Sequence, residues 1–398
     1  MRHFALLCFL PLASVMGADW PQWRGPDRNG ISKETDWKVD WKDSPKILWK
    51  ASVGLGYSSF VVADGKVYTT GHADGKDTVF CFDAVTGKEV WKHTYPAELG
   101  DKFFQGGTTG TPTLADGKLY HLSRWGDMFC FDAATGKIVW QKNIQQETGL
   151  RLPDWGYTGA PLIWENLVVL NVGEHGVALD KASGKVVWKS PDENAGYSTP
   201  LPYQQDGKTL LTFGSGRAYV AIDPKTGAKV WEHKWTTSYG VNAADPVIHE
   251  GHAFISSGYN KGAALLKLGG SEPQVVWQNR VMRNQMNASI LIDGHLYGID
   301  GNEDRGASLK CIELATGRQL WEEKSAGAGA VIAAGDKLIL LCESGELVVA
   351  KASPKAFEPL SRGQVLDPKC WTVPVLANGL LYGRNASGSV VCVDLRTK

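Results

Sequence analysis

A nine-residue phrase, Asp132-Ala-Ala-Thr-Gly-Lys-Ile-Val-Trp140, constrains this chain more than any other feature, because it recurs. It stands again as Asp83-Ala-Val-Thr-Gly-Lys-Glu-Val-Trp91, Asp180-Lys-Ala-Ser-Gly-Lys-Val-Val-Trp188 and Asp223-Pro-Lys-Thr-Gly-Ala-Lys-Val-Trp231. Glu313-Leu-Ala-Thr-Gly-Arg-Gln-Leu-Trp321 is a fifth copy. Each follows an apolar run, such as Met128-Phe-Cys-Phe131, and ends a short strand on Trp. The Trp anchors are Trp49, Trp91, Trp140, Trp188, Trp231, Trp277 and Trp321, with successive spacings of 42, 49, 48, 43, 46 and 44. A period of roughly 40–50 residues without helical periodicity is that of a β-propeller blade. It overrides the two or three domains that 398 residues would otherwise suggest.

Each unit reads as four strands. In the second they fall at 111–114, 119–122, 129–132 and 138–141, and Asp116-Gly117 makes a tight hairpin between the first two. That turn recurs as Asp64-Gly65, Asp206-Gly207, Asp293-Gly294 and Asn378-Gly379. A second turn recurs as Thr86-Gly87, Ser183-Gly184, Thr226-Gly227 and Thr316-Gly317. Both turns demand backbone angles that residues with a Cβ resist, which accounts for much of a high glycine count of 46. The repeated Asp83, Asp132, Asp180, Asp223 and Asp394 are expected to accept hydrogen bonds from their own turns. A residue needed once for chemistry is not copied into every blade.

Two units are degenerate. The fifth has Leu266-Lys-Leu268-Gly-Gly270 yet keeps Trp277, and the seventh places Phe357 where Trp is expected. The eighth ends on Val390-Val-Cys-Val-Asp394 without a closing strand, whereas Ile47-Leu-Trp49-Lys50 is a closing strand without a blade. Joining them predicts an all-β, eight-bladed propeller of four-stranded antiparallel blades, closed by its N- and C-terminal strands. Such a ring leaves no exposed edge to template aggregation.

Residues 1–18 read as an export signal: Arg2, a short apolar core over 4–15, and the small residues of Met16-Gly17-Ala18 for cleavage. The core is too short to span a bilayer. Residues 19–44 form a Trp-rich extension with Trp20, Trp23, Trp37 and Trp41, expected to lie along the outside of the body with its indoles docked. Residues 45–398 form the propeller. Lys+Arg and Asp+Glu both number 42, so there is no net field to draw nucleic acid or an anionic membrane. Cys81, Cys130, Cys311 and Cys392 share one repeat position, a core slot, while Cys342 and Cys370 stand apart; buried free thiols are expected.

The repeat and its copies resemble the pyrroloquinoline-quinone-type propeller family over about residues 45–398. The resemblance implies that each Trp docks between adjacent blades and ties them together. It does not by itself imply a bound quinone. One branch, the quinoprotein alcohol dehydrogenases, holds the quinone on the ring axis beside Ca²⁺, often under an adjacent Cys-Cys disulfide. No two cysteines are adjacent here, and the chain lacks the long inserted loops of those enzymes. The other branch is the exported eight-bladed scaffold typified by BamB, the outer-membrane assembly factor, and size and blade count resemble it more. Asp19 follows Ala18, where BamB-type proteins usually carry a lipidated Cys. The Trp20-Pro-Gln-Trp-Arg-Gly-Pro26 start resembles a third set, exported propeller-repeat proteins of largely unassigned role.

The expectation is therefore a periplasmic or extracellular, non-enzymatic scaffold that binds a protein, peptide or envelope partner. The alternative is a quinone-dependent oxidoreductase using pyrroloquinoline quinone and Ca²⁺. No catalytic residue, cofactor or metal is assigned. His249-Glu-Gly-His252 occupies a hairpin-turn position, and zinc needs more ligands. Asp300-Gly-Asn302-Glu-Asp304 opens like a calcium loop, but Arg305 stands where that loop needs Gly, so a polar hairpin is the better reading.

Within a blade the short, regular turns share one face and the long, varied connections share the other. Variable loops on a rigid scaffold are where binding residues concentrate. Those loops supply Arg124, Trp125, Trp155, Tyr157, Tyr197 and Arg217, and then Tyr239, Asn242, Arg283 and Trp371, as partner-binding residues. Small residues open the inner strands at Gly107, Gly110, Gly159, Ser198 and Ala243, then Gly327 and Gly329, and are expected to leave the axial mouth unplugged.

Overall fold

The computed structural model describes residues 18–192, 194–302 and 306–397. Eight four-stranded antiparallel blades form, each with its strands in sequence order from the axis outward, except the last. The eighth is built from Val375–Ala377, Leu380–Arg384 and Ser389–Asp394, with Lys46–Ser52 as its outer strand. Trp49 lies opposite Cys392 across that seam, so strands from opposite ends of the chain close the ring as expected.

Most inner hairpin turns take positive φ at both central residues, for example Asp116 at 50° and Gly117 at 69°. The third blade places Glu165 at 50° as the first turn residue, which composition alone did not flag.

Each repeat Trp joins its blade to the next. The indole N–H of Trp49 donates to Ala84 O, that of Trp91 to Ala133 O and that of Trp140 to Lys181 O, at 2.9–3.1 Å. Trp231 donates instead to the Tyr203 hydroxyl at 2.7 Å, because the fifth blade lacks the usual turn. The turn glycine lies directly under the preceding indole. A Cβ on Gly136 would sit 2.6 Å from the Trp91 ring, and one on Gly184 2.7 Å from Trp140. Gly is thus required twice, for φ near +70° and for the close approach. The repeat carboxylates cap their turns, Asp83 Oδ1 accepting from Thr86 N at 2.8 Å and Asp180 Oδ1 from Ser183 N at 2.9 Å.

Two expectations are corrected. In the seventh blade the position opposite Val349 is Ser361, so Ser361 and not Phe357 replaces the Trp. Phe357 packs on Trp321 of the preceding blade at 5.9 Å. The vacated interblade slot goes to the extension: Trp37 is buried there, and Lys38 N donates to Leu395 O at 2.6 Å.

The second correction concerns residues 18–34. They do not lie outside but run down the propeller axis and back. Trp20 pairs antiparallel with Val62 of the first inner strand, so the chain descends from the short-turn face toward the long-loop face. It reverses near Arg24 and Gly25, and Ile31–Ser32 returns as a parallel strand beside Ala330–Ala334. Only the stretch beyond Glu34 lies outside, with Trp41 Nε1 donating to Arg362 O. The axis is therefore plugged from the short-turn face. Burial of Trp20, at 1% exposure, supplies the apolar driving force for threading it. All six described cysteines are buried and unbridged.

Candidate functional site

Above the axial hairpin, on the long-loop face, the inner strands surround a cavity of about 300 Å³. Small side chains at the strand openings, among them Ala160, Thr199 and Ala243, keep it wide, and Trp23 of the hairpin closes it below. The mouth is open as expected, but only to this depth.

Aromatic rings form its wall in two arcs. On one side Tyr57 stacks on Trp371 at 5.5 Å and contacts Phe104 at 5.6 Å. Opposite, Trp155 meets Phe103 at 4.8 Å and stands edge-on to Tyr197 at 5.9 Å. Tyr259 continues this arc, and the 62%-exposed Tyr239 extends it onto the surface, 5.0 Å from Tyr259. The rings are braced from behind: Trp371 Nε1 donates to Glu343 Oε1 at 2.9 Å, and Asn287 Nδ2 donates to Trp371 O at 3.1 Å.

At the floor lies Asp245. Its Oδ1 accepts from Thr199 N at 2.7 Å and its Oδ2 from Trp23 Nε1 at 2.6 Å. Burial pushes this carboxyl above its ordinary range, an effect the nearby Arg24 guanidinium offsets in part. Arg24 is itself buried and donates to Asn29 O and Ser289 O. Among the described residues no Lys, Arg or His lines the cavity; Asp245 and three tyrosines are the titratable side chains there.

Of the residues singled out from sequence, Trp155, Tyr197 and Trp371 line the cavity, and Tyr239 flanks it. Arg217 is exposed, and Trp125 is half-buried with its indole on Glu98 O. Three lie beneath the surface. Arg124, 3% exposed, donates to the carbonyls of Leu99, Gly100, Gly107 and Trp155, so it holds loops in place. Tyr157 donates to Arg151 O, and Asn242 bonds Ser215 O and Trp235 O. Arg283 forks onto Asp300, which Lys310 also contacts at 2.8 Å. Two cations already neutralise Asp300, so it does not serve a calcium loop; Asn302 lies at the cavity wall, and Asp304 lies outside the described residues. Among the described residues no cluster of three or more His, Cys, Asp or Glu is placed to hold a metal.

Sequence reasoning missed Trp23, Tyr57, Phe103, Phe104, Asp245 and Tyr259. One signal was readable: Ala244-Asp245-Pro246 carries a charge where other inner strands place Thr, Ala or Val before Pro.

These features define a repeat propeller with an axial, aromatic-walled cavity. A family profile described as "Outer membrane protein assembly factor BamB" matches residues 34–109 and 101–323, and the chain belongs to that family. No curated protein matches it in sequence. Among solved structures it is similar to BamB from Moraxella catarrhalis, at 16% identity and TM-score 0.62, covering 88% of this chain and 100% of that one. It is also similar to quinohemoprotein alcohol dehydrogenase from Comamonas testosteroni, at 15% identity and TM-score 0.67, covering 96% and 81%. A europium-containing methanol dehydrogenase aligns at 14% identity and TM-score 0.67, covering 94% and 89%. At such identities the likeness carries the fold alone.

The second group raises the question of a quinone. Pyrroloquinoline quinone bears three carboxylates, which need cationic partners once desolvated. Among the described residues the axial cavity offers none, and its floor carries a carboxylate. The described lining residues do not fit that group.

Proposed function

We propose that the protein is a non-enzymatic binding scaffold, working outside the cytoplasm, that captures a protein or peptide partner on its long-loop face. The partner seats an uncharged, preferentially aromatic or aliphatic, side chain in the axial cavity. The observation that carries this reading is the cavity's chemistry: rigid aromatic walls, no cation among the described lining residues, and one carboxylate whose two oxygens already have donors. Aromatic walls supply large contact area at little entropic cost, and an apolar anchor in a central pocket is how protein interfaces concentrate their energy. Asp245 has its two oxygens held by Thr199 and Trp23, and its charged neighbour Arg24 stays protonated, so the pair offers no acid–base couple for turnover. The family's name, an assembly factor, agrees with a partner-binding role. Among the described residues no helix is long and apolar enough to cross a membrane.

The test is site-specific photocrosslinking in the native host. Probes at Phe103 and Tyr239 should trap one partner saturably, and probes at Lys88 and Lys137 on the short-turn face should not. The reverse pattern places the interface on the other face and refutes the proposal. Saturable uptake of pyrroloquinoline quinone with Ca²⁺, giving a bound chromophore and alcohol-dependent dye reduction, would refute it equally.

A further inference from the structure

The axial hairpin begins and ends at one mouth, on the short-turn face. Ala18 N lies 3.0 Å from Glu34 Oε1, and the same oxygen accepts from Asn378 N, in the inner turn of the eighth blade, at 2.6 Å. Glu34 is only 8% exposed. Among the described residues no Lys, Arg or His forms an ion pair with it. The other charged groups at this mouth already have partners. Asp19 accepts from Asn378 Nδ2, Asp36 from Thr397, and Arg396 is bound to Asp394. Lys33 pairs with Asp27. A buried carboxylate served by neutral N–H donors alone lacks a counter-charge, and such a charge is costly to keep. The nitrogen that would supply it is already in place. As an internal amide, Ala18 N is a neutral donor; as a chain terminus it is an ammonium.

We infer that Ala18 is the amino terminus of the working protein, and that its α-ammonium is the cation Glu34 is built to hold. Cleavage then falls between Gly17 and Ala18, one bond earlier than the Ala18–Asp19 bond expected from the sequence. The export peptidase adds water across the Gly17–Ala18 amide: the hydroxyl goes to the Gly17 carbonyl, and the nitrogen leaves with Ala18 as an amine that is protonated at neutral pH. The new terminus locks the hairpin to the eighth blade, so the plug is fully fastened only after processing. This inference rests on the export signal and is independent of what the axial cavity binds.

The test starts with the full chain secreted from a host that processes it. Intact mass and amino-terminal sequencing should find Ala18 first; a terminus at Asp19 or beyond overturns the assignment. The charge is tested separately, with the chain starting at Ala18 compared against one carrying Gly-Ser before it. At pH 7 the Ala18 chain should melt higher by roughly 2 °C. A free α-amine ordinarily titrates near about 8, and a carboxylate neighbour raises that value. The advantage is therefore full below pH 8 and disappears as pH rises past the raised value. In a Glu34→Gln background the two chains should melt together at every pH. Equal melting of the two chains at pH 7 with Glu34 intact overturns the ammonium pairing.

Discussion

At the scale of single residues, glycines with the same backbone angle do different work. Gly184 and Gly207 have φ of +70° and +72°, but a Cβ on Gly184 meets the Trp140 ring at 2.7 Å whereas one on Gly207 meets nothing within 4 Å. Gly207→Ala should therefore cost only left-handed backbone strain, about 1–2 kcal/mol. Gly184→Ala should cost about 1–3 kcal/mol more, because it also dislodges an interblade indole. Equal denaturation midpoints for the two variants would show that the Trp contact adds nothing. His121 makes a different prediction. It is 1% exposed, its Nε2 lies 2.9 Å from the Tyr95 hydroxyl, and its Nδ1 has no partner. Burial holds its pKa down at about 3, from an ordinary 6.5. Protons therefore bind the unfolded chain first, so stability is full above pH 6.5 and falls as pH drops toward 3. By pH 4.5 this residue alone should remove about 2.5 kcal/mol relative to pH 7. His121→Phe should flatten the decline in urea midpoint between pH 7 and 4.5; an unchanged slope would mean that carboxylates account for all of it.

Among the elements, the seventh blade shows how the fold repairs a missing repeat residue. Its outer strand carries Ser361 where other blades carry Trp, and the extension docks Trp37 into the interblade core. Ser361 Oγ donates to Val39 O at 2.8 Å, which seats the strap that brings Trp37 in. Trp37→Ala should thus destabilise like a repeat-Trp mutant, by about 3–5 kcal/mol, although Trp37 lies outside the repeats. Guanidinium denaturation of Trp37→Ala beside Trp140→Ala checks this, and a loss under ~1 kcal/mol for Trp37 would relegate the strap to decoration. The Phe357 expectation failed for a local reason. The bulge of the other blades recurs between Val349 and Ala350, but the span from Val349 to Ser361 is two residues longer than that from Cys81 to Trp91, so repeat spacing stops short of the position.

Across the whole molecule, the long-loop face divides its polar residues between holding loops and facing the cavity. Arg283 was expected to grip a partner, but it is committed to Asp300, whose side chain is only 2% exposed. Arg283→Ala should lower stability by about 1–3 kcal/mol, since it strips a charged partner from a buried carboxylate. Trp155→Ala and Trp371→Ala remove cavity wall instead. They should weaken partner affinity at least about tenfold, a loss of ~1.4 kcal/mol, while moving the melting temperature by no more than about 2 °C. Measuring melting and capture on the same three variants separates the roles. An Arg283 variant that melts normally but fails to bind would return that residue to the interface.

The blade count, the ring-closing strand pair and the interblade indoles were all legible in the sequence. Each arises from contacts that recur at fixed spacing, so the copies of Asp83-to-Trp91 and Asp132-to-Trp140 report the same local energetics several times over. The binding cavity was legible only in part. Trp155, Tyr197 and Trp371 could be placed on its face because strand order assigns loops to faces. Tertiary structure alone decided that Arg124 turns inward to Leu99, Gly100 and Gly107, and that Asp245 comes to lie under Trp23, 222 positions earlier in the chain. It also decided that residues 18–34 enter the axis. No periodicity marks that segment; what places it is the apolar surface of eight inner strands, which exists only once the ring has closed around it.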